Sequence, residues 1–545
     1  MNQRTEQLSQ ASEQAYDVLV IGGGINGAAS AAALSGAGAK VVLVDSRDFA
    51  GFTSSESSNL IWGGIKYLES LEVGLVRQLC MGRNELMRAY PQVIQETRFF
   101  TAIERKFRFP ARFFWIGAWL YWLLGNRFTD KPRYLSRKEI KSEEAIVRSD
   151  SLGGGLIYSD GRLVDGDARF VLNLVKRAID FGATAVNYLT VSGVQRQKDG
   201  TWAATVVDDI TKQESRVVAR YLVNAAGPFA DEINLQAGFE SSTRHLLSKG
   251  IHLVVDRVTD SNRVLTFFAD DGRMFFAIPL GNKTCIGTTD TRVESPLTEV
   301  TNADRKFILD NINACLNLGT PLTQDDILAE RCGVRPLAVA RSKGRSEGDW
   351  LKLSRKHVLE TSSELGMVSI FGGKLSDCLR IGREICETLI RLGCQLEMGQ
   401  WYGEPDRQSR DRFMARSAEA EGSVEPPGGL PWDRLWRTYG NDAMEILESV
   451  RSDKKGGEIV IGPEKICRAE LEMIRGQEMV VTLEDFLRRR TLLAQTYNFH
   501  ELAAMPEIRI ACEILFGIEA EQQYNDYFGA DRGVNRLEWG VGPII

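Results

Sequence analysis

The stretch that decides the fold is DVLVIGGGINGAASAAALSGAGAKVVLVD, residues 17–45. It opens on a short apolar run, Asp17 to Ile21, and turns through Gly22-Gly23-Gly24-Ile25-Asn26-Gly27. Small residues at helical spacing follow from Ala28 to Ala37, then a second apolar run, Lys40 to Val44, that ends at Asp45. The order strand, glycine turn, helix, strand predicts a βαβ unit. Gly22, Gly24 and Gly27 form GxGxxG in its proper context. They permit a tight turn, close approach of a pyrophosphate to the backbone, and close helix–strand packing. The helix N-terminus offers N–H groups and partial positive charge to phosphates. Asp45, at the end of the second strand, suits ribose hydroxyls. The fingerprint alone does not choose between FAD and NAD. An enzyme holding both often shows a second copy, and this chain has one strong copy.

The chain has 545 residues, enough for two or three domains. Apolar residues are 43% and charged residues 26%, the balance of an ordinary globular protein. The formal net charge is −6, which argues against general nucleic-acid binding. The nine cysteines form no CxxC, and with four dispersed histidines they show no metal-ligand spacing. That pattern predicts reduced thiols, a cytoplasmic location and no metal. No apolar signal-peptide core opens the chain. The longest apolar segment is FFWIGAWLYWLL, 113–124, flanked by Arg108, Arg112 and Arg127. It is too short to span a bilayer. It fits a core helix or, given its tryptophans and basic flanks, a peripheral contact with the inner face of the cytoplasmic membrane.

The predicted organisation is a disordered tail over 1–15, an oxidoreductase region over 16–400, a linker over 401–431 and a helical domain over 432–545. Strand-like runs include 156–158, 185–191, 221–224, 252–255, 274–279 and 367–371. The charged GEPDRQSRDRFMARSAEAEGSVEPPGGLP, 403–431, reads as the linker. After Trp432 the periodicity is helical throughout, for example over 432–450, 465–475 and 483–493. The run Tyr221 to Asn224 ends in Ala225-Ala226-Gly227-Pro228, which can return the chain to the same dinucleotide.

Eight motifs then follow one another in order: VIGGGINGAA (20–29), TSSESSNLIWGGIKYLE (53–69), YSDGRLVDGDAR (158–169), VNAAGPFAD (223–231), SKGIHLVV (248–255), IGTTDT (286–291), GVRPL (333–337) and IFGGKL (370–375). With Arg437-Thr438-Tyr439-Gly440 in the tail, the chain resembles the FAD-dependent glycerol-3-phosphate dehydrogenases over nearly its whole length. The resemblance implies an α/β fold: a Rossmann-like FAD domain of the glutathione-reductase type, interleaved with an antiparallel-sheet substrate domain, and a C-terminal helical domain. It implies oxidation of sn-glycerol 3-phosphate to dihydroxyacetone phosphate by hydride transfer to flavin, with quinone or another acceptor taking the electrons. It allows a homodimer. It places Thr53, Ser54, Ser55, Ser58, Asn59, Leu60 and Gly64 along FAD, with Ile25, Asn26, Ser46, Val191, Ala226 and Gly227 beside them. Gly373, Lys374 and Leu375 would close over the pyrimidine end of the ring, where charge grows on reduction. Arg335, Arg355 and Lys374 would gather around a phosphate, which wants convergent cations.

The family pattern SSKLIHGGLRYLE is altered here. Asn59 stands for Lys, Trp62 for His and Lys66 for Arg. The indole of Trp62 only donates and cannot take a hydroxyl proton. Lys66 replaces a fork with a point charge beside Tyr67. After FGGKL the family continues Thr-Thr-Tyr-Arg, where this chain has Ser376-Asp377-Cys378-Leu379. Ile251, before His252, stands where the family favours a small or polar residue. Three readings stay open: glycerol 3-phosphate oxidation with proton handling moved to Arg335 or Lys374, oxidation of another polyol phosphate or hydroxy acid, and FAD binding without catalysis in a regulatory role.

Overall fold

The computed structural model describes residues 2–107, 110–269, 272–341, 356–421 and 429–529. A helix, α1 (Gln3–Glu13), precedes the predicted unit. Then come β1 (Ala15–Ile21), α2 (Ile25–Gly36) and β2 (Val41–Val44), the βαβ read from the sequence. β1 is buried from Val18 onward, and α2 buries its alanines, so strand and helix meet through small side chains. Residues 3–13 are therefore not the expected disordered tail. Arg4 donates to the Asn187 carbonyl at 3.0 Å and pairs with Asp208 at 2.5 Å, and Gln7 accepts from the Ala185 N–H. These partners lie about 180 to 204 residues away, so the chain's first segment shows no local reason to be ordered.

Among the described residues the strands form two large sheets and one small hairpin. The first large sheet runs Val358–Ser362, Met367–Phe371, Glu214–Asn224, β1, β2, Thr184–Val186. Its four central pairings are parallel, and α2 packs on one face with Asp167–Asp180 and Cys378–Arg391. The run 185–191 divides into two strands, Thr184–Val186 and Leu189–Arg196, and Tyr188, with φ 53°, breaks the extended backbone between them. The second sheet is mostly antiparallel and carries the strands Thr243–Asp256, Ala329–Ala340 and Leu152–Leu163. Chain segments pass between the two sheets, as the interleaved arrangement requires.

The C-terminal unit differs from the reading at both ends. Arg407–Glu421, inside the expected linker, is a helix whose Phe413 is fully buried against Trp432 and Trp436. The charged composition of that segment hid one deep apolar anchor. The region after Trp432 is not helical throughout, since Ile459–Ile461 and Ile466–Cys467 form a small antiparallel hairpin. Residues 432–450 bend at Gly440, φ 57°, into two helices.

This unit is fixed to the rest of the chain by buried and part-buried ion pairs. Asp48, which follows β2, accepts from Arg489 Nε at 2.7 Å, from Arg490 Nη1 at 2.6 Å and from Asn187 Nδ2 at 2.9 Å. Arg169 pairs with Glu478, Arg437 with Asp165, and Arg488 with Glu56. Burial alone would push the Asp48 carboxyl up, but Arg490 and Arg489 outweigh it and hold it at about 2. Its contribution to stability is therefore present above the ordinary carboxylate range of about 4 and is lost as pH falls toward the depressed value. Asp48→Asn removes the shared carboxylate and leaves buried guanidinium charge. The variant is expected to lose about 3 kcal/mol of stability in guanidinium titration at neutral pH. An unchanged midpoint would show that the network does not hold the two parts together.

Candidate active site

The turn that opens α2 sets the floor of a cavity of about 370 Å³. Gly22 has φ 103°, and a Cβ on it would lie 2.5 Å from the Ala225 carbonyl oxygen. A Cβ on Gly27 would lie 1.7 Å from the Gly22 carbonyl oxygen. The helix can start this close to the strand only without those side chains. Gly24 is the N-cap, and the first N–H of α2, on Ile25, donates to Ser54 Oγ at 3.0 Å. Asp45 accepts from Gly23 N–H at 2.6 Å and from Arg47 N–H at 2.8 Å, and burial pushes its carboxyl up to about 6.

Most of the predicted contacts line this one cavity. Gly22, Gly24, Ile25, Asn26, Asp45 and Ser46 line it at the turn. Thr53, Ser54, Ser58 and Leu60 line it from the following segment, and Val191, Ala226 and Gly227 from the neighbouring strands. Gly373, Lys374 and Leu375 close it, with Trp62, Tyr67 and Arg335. Asn26 donates to the Gly372 carbonyl at 3.0 Å, while its buried Oδ1 has no hydrogen-bond partner among the described residues. A Cβ on Gly373 would stand 3.0 Å from that same oxygen. The orphaned acceptor, the bare glycine backbone and the helix N-terminus fit a bound dinucleotide.

Several predicted contacts serve other ends. Gly27 supports the turn from behind. Ser55 is buried, and its hydroxyl donates to the Phe52 carbonyl. Asn59 is buried with φ 59°, and its Oδ1 accepts from Asp167 N–H at 3.0 Å, so it anchors the segment from beneath. Gly64, φ 77°, makes room for the Tyr67 ring, and Gly63 for the Tyr121 hydroxyl. Both glycines are thus required by the packing of these two tyrosines. Lys66 is exposed and does not line the cavity, because the short 3-10 turn Ile65–Leu68 points it outward while Tyr67 faces in. Arg355 lies outside the described residues, and the neighbouring Lys356 lines the cavity instead.

At the closed end, Lys374 Nζ donates to the Tyr67 hydroxyl at 3.0 Å and sits 4.4 Å from the centre of its ring. Arg335 donates to Thr288 Oγ1 at 2.9 Å and to the Thr289 carbonyl at 3.3 Å, with Asp290 3.7 Å away. Gly250 matters here, since a Cβ on it would meet the Arg335 guanidinium at 2.2 Å. Trp62 donates from its indole N–H to the Tyr158 hydroxyl at 3.3 Å. The loop that carries Lys374 is held by two histidines. His245 Nε2 accepts from Gly372 N–H at 3.2 Å, and His357 meets Asp377 at 2.5 Å and Glu384 at 2.7 Å.

Sequence reading passed over Lys356, Gly250, His252 and the aromatic pair Phe52–Phe229, whose rings meet at 4.8 Å by the cavity. His252 is 2% exposed, and neither of its ring nitrogens has a partner among the described residues. Burial, then the charges of Arg331 and Arg335, hold it well below its ordinary pKa, so it is a neutral imidazole. Its register beside Arg331, on the strand that carries Arg335, becomes visible only once the sheet is paired.

Residues 17–375 match the model of the FAD dependent oxidoreductase family, and residues 430–523 match the C-terminal domain of alpha-glycerophosphate oxidase. The aerobic glycerol-3-phosphate dehydrogenase of Bacillus subtilis is 34% identical over 90% of this chain and 89% of its own. The enzyme of that name from Staphylococcus aureus (strain MRSA252) is 32% identical over 87% and 86%. Among solved structures, a glycerol-3-phosphate dehydrogenase from Bacillus halodurans complexed with FAD superposes with TM-score 0.75, at 26% identity over 96% of both chains. The L-alpha-glycerophosphate oxidase of Mycoplasma pneumoniae, at 18% identity and TM-score 0.56 over 72% of this chain and 98% of its own, shares the fold. The chain belongs to the FAD-dependent oxidoreductase family, in the branch that carries the alpha-glycerophosphate oxidase C-terminal domain, and FAD is its cofactor.

Proposed function

We propose that this enzyme oxidises sn-glycerol 3-phosphate to dihydroxyacetone phosphate, and that Gly22, Gly24, Ser54, Asp45, Asn26 and Gly373 hold its FAD. The observation that carries this reading is the cavity's composition: a glycine turn at one end, and Arg335, Lys356 and Lys374 around the loop at the other. A phosphate dianion is best held by convergent cations, and Arg335 contributes a planar fork. FAD, when bound, supplies the acceptor for the hydride from the carbinol carbon, which carries both electrons. The protein handles the remaining proton. Trp62 cannot accept it, as an indole has no basic nitrogen in its plane. Tyr67 takes that place in our reading: its oxygen, as a phenolate, accepts the carbinol proton, and the Lys374 ammonium that donates to the same oxygen at 3.0 Å stabilises the anion. Trp62 fills the space of the family's histidine and narrows the cavity toward a short substrate.

The test is anaerobic mixing of the purified yellow protein with candidate substrates, followed by flavin absorbance. Glycerol 3-phosphate is expected to bleach the flavin, and glycerol without the phosphate is not. Bleaching by a different polyol phosphate or a hydroxy acid alone would replace the substrate, and no bleaching by any of them would replace catalysis with a binding role.

We infer further that the electrons leave at a membrane surface, where a quinone is the acceptor. No helix among the described residues is long and apolar enough to cross a membrane. The support is the helix Ala111–Leu124, which exposes Phe113, Ile116, Leu120 and Leu123 on one side and buries Ala118 and Tyr121 on the other. Leu71 adds a neighbouring apolar side chain that is 82% exposed. Basic flanks and an apolar face favour an anionic interface. Replacing Phe113, Ile116 and Leu120 by Ser is expected to abolish co-sedimentation with anionic phospholipid vesicles and leave bleaching intact. Equal sedimentation of the variant and the parent would contradict the membrane assignment.

A further inference from the structure

The loop Gly372–Ser376 lines the cavity and carries Lys374. It leaves the strand Met367–Phe371 and runs into a short turn that ends at Asp377, the N-cap of the helix Cys378–Arg391. Gly372 and Gly373 both have positive φ, 70° and 108°, so the loop's own backbone does not lock it. Its ends are held by side chains from elsewhere.

At the first end Gly372 N–H, which can only donate, meets His245 Nε2. That nitrogen must be unprotonated. The other ring nitrogen, Nδ1, faces Asp231 at 3.3 Å, and Asp231 is paired in turn with Arg341. At the far end the requirement is reversed. His357 is 4% exposed in its side chain and has a carboxylate at each ring nitrogen, Asp377 at 2.5 Å and Glu384 at 2.7 Å. Ionised carboxylates only accept, so both nitrogens must donate and the ring must be an imidazolium. Glu384 also pairs with Arg380 at 2.6 Å, and the cation next to His357 in the chain, just ahead of the strand Val358–Ser362, is Lys356. His357 and Gly372 face each other, since the residues beside them, Val358 and Phe371, are paired across the sheet.

We propose that His357 is a positioning residue for the substrate cation: as an imidazolium clamped between Asp377 and Glu384, it fixes the loop that places Lys374, while neutral His245 fixes the loop's other end. The inference rests on the reading of Lys374 given above. Asp377 belongs to Ser376-Asp377-Cys378-Leu379, where the family pattern has Thr-Thr-Tyr-Arg, so the clamp uses residues with which this chain departs from that pattern. Burial works against the charge on His357, but the hydrogen bond and charge of Asp377, then those of Glu384, outweigh it and raise the pKa above the ordinary value. The sign follows: the clamp is complete below about 6.5, the unfolded value, and is lost as pH rises through the raised one.

The test uses the full-length FAD-loaded protein and two readouts. Amide hydrogen exchange across 373–378, corrected for the intrinsic pH dependence, is expected to lose protection in the parent as pH is raised from about 6.5 into the alkaline range. His357→Asn, with no charge, is expected to lack that protection at both ends of that range. His357→Lys keeps a cation that does not titrate in this range, so it should keep protection at both. In turnover, the KM for glycerol 3-phosphate is expected to rise roughly tenfold over the same range in the parent, as one charge-assisted hydrogen bond is lost, with kcat less affected. It should stay flat in His357→Lys. Equal protection in the parent and His357→Asn at the lower pH, both carrying FAD, would overturn the proposal, as would a KM profile in His357→Lys that follows the parent. Exchange needs no substrate, so a protein that fails to oxidise glycerol 3-phosphate still tests the clamp.

Discussion

The site depends on one contact between backbones. Gly27, in the first turn of α2, lies so near the Gly22 carbonyl that a methyl group would overlap it at 1.7 Å. Because of this, the N-terminus of α2 is pressed against the end of β1, and its N–H groups open into the cavity. The strand Glu214–Asn224 pairs with the other side of β1, and its end, Ala225, stands 2.5 Å from where a Gly22 side chain would begin. Three segments thus converge at a point with no room for side chains, which is the shape a pyrophosphate needs. Everything further along the cavity is placed from this point. The segment after β2 returns Ser54 to the helix N-terminus, then passes Leu60 and Trp62 on its way to the cationic end.

The C-terminal domain acts on the same segment from outside. Arg488 donates to Glu56 within it, and Arg331 donates to the Ser57 carbonyl and to Gln495 of the C-terminal unit. Asp48, just ahead of the segment, is shared by Arg489 and Arg490. Buried pairs of this kind add little net stability, but each is costly to break on one side only. Here they tie the helical domain to the stretch that follows the cofactor. A second tie runs to the surface. Tyr121, on the exposed apolar helix, donates to Asp160 at 2.7 Å, and Asp160 also accepts from Gly63 N–H beside Trp62. The proposed membrane face and the proposed substrate end therefore share one buried carboxylate.

The sequence made the βαβ unit legible because its causes are local. Period, glycine spacing and an acidic strand end all lie within 29 consecutive residues. The cationic loop was legible by resemblance. What stayed hidden was direction. Ser54 and Ser55 are adjacent serines, yet one meets α2 and the other turns back to Phe52. Lys66 and Tyr67 are adjacent, yet only the tyrosine faces inward. Asn59 looked like a cofactor contact and is an anchor for Asp167. A helix formed in the expected disordered tail and another in the expected linker, because their anchors, Arg4 and Phe413, find partners far along the chain or in a separate core. His252 and Gly250 acquire meaning only from cross-strand register, which a single chain read in order does not display.

The claim at the centre of this account is that one cavity holds FAD along residues 22–60 and a phosphate at the end formed by Arg335, Lys356 and Lys374. The most direct measurement is a crystal structure of the FAD-loaded protein soaked with dihydroxyacetone phosphate. The pyrophosphate is expected at the N-terminus of α2, and the product phosphate within hydrogen-bond reach of Arg335 and Lys374. A product phosphate bound elsewhere, with that end of the cavity filled only by solvent, would contradict it.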